Sequence, residues 1–94
     1  MNEQELRLVL QVALLGEVGP SLRAVAYDLQ ADRIAVRFYH DGVISDDERE
    51  SASCVGTELM AALPHSITVS EELIRCDHPQ QIPQDLPKVF RRRE

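Results

Sequence analysis

Apolar residues recur along this chain with two periods, 3.6 and 2, and each period predicts an element. In residues 3–15, Leu6, Val9, Leu10 and Ala13 fall at i, i+3, i+4 and i+7, the repeat of a helix. Leu8, Val12 and Leu15 widen its apolar arc, while Gln4, Arg7 and Gln11 form a narrow polar stripe. A helix so apolar is expected to be well buried, with only that stripe turned to water. "GEVGP" at 16–20 ends it, through Gly16 and the Gly19-Pro20 pair.

The period then changes to 2. With Ala31-Asp32 as a two-residue turn, Leu29 faces Ile34, Tyr27 faces Val36 and Val25 faces Phe38, all apolar and all on one face of a β-hairpin. The other face carries Ala24, Ala26, Asp28, Ala35, Arg37 and Tyr39. Next, Ser45 followed by Glu48 fits the S-x-x-E capping box, which predicts a helix over 46–63 stopped by Pro64. Its inner face would hold Ala52, Val55, Gly56, Leu59, Ala62 and Leu63.

"SITVSEELIRCD" (66–77) reads as a strand with Ile67 and Val69 inward and an irregularity at Glu71-Glu72. "HPQQIPQDLP" contains Pro79, Pro83 and Pro87 and reads as an extended connection. "KVFRRR" offers a last, edge-like strand. The expected fold is one α+β domain over residues 1–94 in the order α-β-β-α-β-β, an antiparallel sheet covered by two helices.

Composition and charge narrow the function. The 94 residues are 44% hydrophobic and 28% charged, an ordinary globular balance, with no tryptophan. The N-terminus lacks a basic n-region, and no apolar run approaches the ~18 residues of a membrane span. Two cysteines fit reduced thiols in a cytoplasmic protein. The net charge is −6, and "KVFRRRE" at the C-terminus is locally basic, so residues 1–87 are more acidic than the whole. A body this acidic repels nucleic acid and anionic membranes and attracts cationic surfaces.

"DGVISDDERES" (41–51) holds five carboxylates: Asp41, Asp46, Asp47, Glu48 and Glu50. An EF-hand beginning at Asp41 fails, because Val43, Asp46 and Ala52 stand where a ligand, a glycine and the bidentate glutamate belong. "CDH" at 76–78 has no second ligand pair to complete a zinc site. His40-Asp41 could orient an imidazole, but no nucleophile elbow accompanies it, and Cys54 lies mid-helix, where a thiolate gains nothing. Phosphate loops are absent. No cofactor, metal site or enzymatic centre is therefore expected.

An acidic binding surface remains. On the second helix Asp47, Glu50, Cys54 and Glu58 line the face opposite the apolar one, with Asp46 beside them. Glu58 stands in the C-terminal half, beyond any help from the helix dipole. The hairpin's second face adds Tyr39 and Arg37, residue types favoured as interface anchors.

"LLGEVGPSLRAV", "FYHDGVISDDERES", the Thr57-Glu58 pair and "VFRRRE" together resemble small bacterial immunity proteins of contact-dependent growth inhibition and related polymorphic toxin systems. The resemblance covers residues 14–94. It implies a cytoplasmic protein that binds and neutralises the toxin domain of its own system. Such toxins are often nucleases with basic surfaces. Charge and geometry, rather than the resemblance, nominate Asp46, Asp47, Glu50 and Glu58 for steering, with Tyr39 and Arg37 as the anchor. The rival reading is a small acidic secretion-type chaperone, which apolar surface on an outer helix or sheet face would favour.

Overall fold

The structure, a computed structural model, describes residues 2–94. Two helices and four strands follow one another as α1 (Glu3–Ala13), β1 (Leu22–Leu29), β2 (Arg33–His40), α2 (Asp46–Ala62), β3 (Thr68–Arg75) and β4 (Lys88–Arg91). The strands form one sheet in the order β3-β2-β1-β4. This is a mixed α+β fold.

The hairpin forms in the register its alternation dictates, pairing Val25 with Phe38, Tyr27 with Val36 and Leu29 with Ile34. The wholly antiparallel sheet expected from the sequence does not form. β2 and β3 run parallel, because α2 carries the chain back to the end of the sheet where β2 began. The irregularity expected at Glu71-Glu72 is also absent, since β3 pairs with β2 without a break from Thr68 to Arg75. The irregularities lie elsewhere, a bulge in β1 between Leu22 and Ala24 against β2, and a register shift at Val25-Ala26 where β1 meets β4.

Both helices pack on one face of the sheet. Leu6, Leu10 and Ala13 of α1 and Ala52, Val55 and Leu59 of α2 meet Val25, Tyr27, Ile34, Val36 and Phe38 in one core. Fully burying each large aliphatic side chain contributes roughly 1.5–3 kcal/mol. At Gly56 of α2 the Glu71 side chain of β3 fills the space a Cβ would take. α1 is capped by Asn2, whose side chain accepts the Glu5 N–H at 2.8 Å, and its exit turn uses Gly16 at φ +81°.

α1 turns its expected apolar face, Leu6, Val9, Leu10 and Ala13, to the core, but it is not buried on the sides beyond that face. Arg7, one of the three polar-stripe residues, turns onto the sheet. Its guanidinium lies 5.9 Å from the Tyr27 ring centroid and donates to the Lys88 carbonyl at 3.1 Å. Leu8, Val12 and Leu15 consequently face solvent, 60%, 62% and 76% exposed. The expectation of a well-buried helix fails for this side of it.

The proline-bearing segment 77–87 crosses the other face of the sheet as a strap. Ile82 and Leu86 press onto Ala24, Ala26, Tyr39 and Cys76, and the small alanines let the strap come close. Arg23, freed by the bulge and 3% exposed, fastens this layer. It donates to the carbonyls of Cys76 (2.7 Å) and Gln80 (2.8 Å) and grips both carboxylate oxygens of Glu94 (2.7 and 2.9 Å).

Candidate functional site

The five carboxylates of 41–51 divide into two groups. Asp41 and Glu48 work inside the fold. Asp41 accepts from Arg92 and from the His78 backbone N–H, both at 3.2 Å. Glu48 closes the capping box with Ser45, accepting the Ser45 N–H at 3.0 Å while its own N–H donates to Ser45 Oγ at 3.2 Å. The second oxygen of Glu48 meets Ser21 Oγ and His40 Nδ1. Partial burial pushes the Glu48 carboxyl up, but hydrogen bonds from Ser21 and Ser45 outweigh it and hold the pKa at about 2.

Ser21, His40 and Glu48 beside a cavity of about 340 Å³ invite comparison with a hydrolytic triad. The connectivity is wrong for one. Ser21 Oγ (3.2 Å) and Glu48 both address His40 Nδ1, whereas a relay needs the serine on one ring nitrogen and the acid on the other. Nε2 is buried without a hydrogen-bond partner among the described residues. Burial lowers the His40 pKa against the pull of Glu48. The neutral ring then places its proton on Nδ1, toward the carboxylate. The cluster latches the start of α2 to the open end of the hairpin. The sequence hints at it only through Glu48 of the capping box, because Ser21 and His40 meet through strand pairing.

Asp46, Asp47 and Glu50 form the second group, and Glu58 joins them two turns further along α2. All four are exposed, and none enters an ion pair among the described residues. Cys54 lies among them. Desolvation of its sulfur, then the charges of Glu17, Glu50 and Glu58, push its thiol pKa up, which leaves it a poor nucleophile. The same effect places Glu17, just beyond α1, in this acidic field.

The hairpin half of the expected site does not assemble. Tyr39 is 1% exposed, covered by the strap, so it is a core residue and not an anchor. Arg37 is held by Glu72 at 3.2 Å and Asp85 at 3.5 Å. The apolar surface lies elsewhere, on α1. Leu8, Val9, Val12 and Ala13 line a groove of about 270 Å³ between the helices, closed on the α2 side by Glu58 and Ala62. Sequence reasoning missed this surface by assigning the whole apolar arc of α1 to the core.

Among the described residues no group of three or more His, Cys, Asp or Glu side chains is placed to hold a metal ion. No helix among them is long and apolar enough to cross a membrane. Cys54 and Cys76 are both free thiols, Cys76 buried under the strap.

No curated protein matches this chain. A protein-family model, the MafI2 immunity protein, matches it over residues 3–94, from the first residue of α1 to the glutamate gripped by Arg23. The match spans both helices, the whole sheet and the strap, and on that extent the chain belongs to the MafI2 immunity protein family.

Proposed function

We propose that this protein neutralises the toxin domain of its own polymorphic toxin system in the cytoplasm, by laying the acidic outer face of α2 over a basic surface of the toxin. A nuclease domain, whose nucleic-acid site is basic, is the target class this charge suits best. The observation that carries the reading is the row Asp46, Asp47, Glu50 and Glu58, exposed and without ion-pair partners among the described residues. Structural work explains Asp41 and Glu48, and the helix dipole favours Asp46 and Asp47 in the first turn of α2, but neither accounts for Glu50 and Glu58. Opposite fields of this kind speed encounter toward ~10⁸–10⁹ M⁻¹s⁻¹ at low salt. The mechanism is occlusion: carboxylates pair with toxin lysines and arginines, and the covered surface loses access to its substrate.

One observation favours the chaperone reading, the apolar stripe on the outside of α1. Family membership decides against it, since an immunity protein implies a toxin as its partner. The test is co-expression with the toxin domain encoded in the same system, scored by growth and by calorimetry at two salt concentrations. Nanomolar 1:1 binding and protection are expected, with affinity falling in high salt and in Asp47→Lys/Glu50→Lys. Failure of the wild-type chain to bind or protect would sink the immunity reading. Recovery instead of an unfolded effector segment would promote the chaperone.

A further inference from the structure

The outer layer of the molecule pairs two helix surfaces of opposite character. α2 presents carboxylates, while α1, packed beside it, presents Leu8 and Val12, with Leu15 and Val18 exposed in the turn just past the helix. Leu8 and Val12 lie on the side of α1 opposite Leu6, Leu10 and Ala13, which face the core. Glu58 stands where the two surfaces meet, on the rim of the interhelical groove.

We infer that this α1 face is the apolar centre of the toxin-docking surface, and that a lysine or arginine of the toxin domain seats in the groove with its head on Glu58. The inference rests on the immunity reading and adds to it the part of the surface that excludes water. A long basic side chain matches the groove in both respects: its methylene stem lies along Leu8 and Val12, and its charge meets the Glu58 carboxylate, which has no ion-pair partner among the described residues. An apolar centre with a charged rim is also the anatomy of a tight protein interface.

Charge selects among the occupants of this face. A second copy of the chain would set Glu17, Glu50 and Glu58 against their own equivalents, which repel. An anionic membrane is repelled by the same residues. A cationic protein surface with an apolar middle is attracted by both parts.

The experiment is calorimetry and stopped-flow binding of the purified toxin domain of the same system to the wild-type chain, Val12→Ser/Leu15→Ser and Glu58→Gln. Sedimentation of each free protein and thermal melts accompany the titrations. The substituted side chains are largely in water, so the melts should hardly move. Val12→Ser/Leu15→Ser should raise Kd about 30-fold or more through faster dissociation, with the salt dependence of association unchanged. Glu58→Gln should weaken binding about tenfold and flatten the salt dependence. Wild-type affinity in the Val12→Ser/Leu15→Ser variant, with the wild type still binding and protecting, overturns this inference and spares the immunity reading. A wild-type dimer that Leu15→Ser disperses overturns it in favour of self-association. Absence of wild-type binding removes both.

Discussion

The two faces of the sheet are closed by different physics. On the helical face, Leu10, Val25, Val36, Val55 and Leu59 are all 0% exposed, and a helix pair closes them in with few polar groups involved. On the strap face the apolar content is thin: two alanines, Tyr39, Cys76, Ile82 and a few flanking groups. What completes that layer is a buried arginine whose guanidinium donates to two carbonyls and both oxygens of a carboxylate. Each face of the sheet is already occupied, and the docking surface proposed above lies on the outside of the helical layer.

The sharpest way to break the strap face is Arg23→Met. The change leaves the Cys76 and Gln80 carbonyls without their shared donor, and stranding a buried acceptor costs about 1–3 kcal/mol for each such group. Urea denaturation should show that loss, and hydrogen exchange should show protection falling first in residues 77–87. A uniform loss of protection across the molecule would mean that the two faces are not separable. On the helical face, Leu59→Ala should cost about 3 kcal/mol by cavity formation, with protection lost in α2 and the hairpin together.

The asymmetry between the faces also explains what could be read from the sequence. The hairpin register was legible because period-2 alternation places Val25, Tyr27 and Leu29 opposite Phe38, Val36 and Ile34, and a one-residue slip would expose all six. α2 was legible from Ser45 and Glu48, a local pair. The strap was legible only as an extended segment. What it covers depends on contacts between Arg23, Cys76 and Glu94, residues that no local rule connects. The extent of burial of α1 was lost for a related reason: an apolar arc this wide does not say how much of it the sheet covers, and Leu8, Val12 and Leu15 stay outside while Arg7 reaches Tyr27. The candidate site was therefore half legible, its acidic stripe visible and its apolar stripe hidden.

Acid should weaken the latch that joins α2 to the hairpin in two stages. His40 is held neutral below its ordinary 6.5 by burial, so as the pH falls past 6.5 the unfolded chain takes up a proton that the folded one resists, and stability declines. Glu48 has its carboxyl depressed from 4.5 to about 2. Its contribution is therefore present above pH 4.5 and is lost as the pH falls from there toward 2. Glu94, held at about 2 chiefly by Arg23, adds a loss in the same lower window from the strap face. Melting temperature against pH should thus fall first below 6.5 and more steeply below 4.5. Glu48→Gln should remove part of the lower stage, and an unchanged profile in that variant would place the acid sensitivity elsewhere.

The smallest expected effects separate the two duties of the acidic helix. Asp47 stands in the first turn of α2, where a carboxylate gains ~0.3–1 kcal/mol from the helix dipole, while Glu50 stands beyond it. Asp47→Lys should therefore lower stability by up to about 1 kcal/mol, and Glu50→Lys by less than about 0.5 kcal/mol. If the stripe serves the toxin, the ranking changes in the binding assay. There the two reversals should weaken association by comparable factors, because a field acting on an approaching partner is indifferent to which turn of the helix carries the charge. Equal effects on binding with unequal effects on folding would show that the row is a docking face as well as a helix start. Binding losses that simply track the stability losses would return both residues to a structural role and leave α1 to carry recognition by itself.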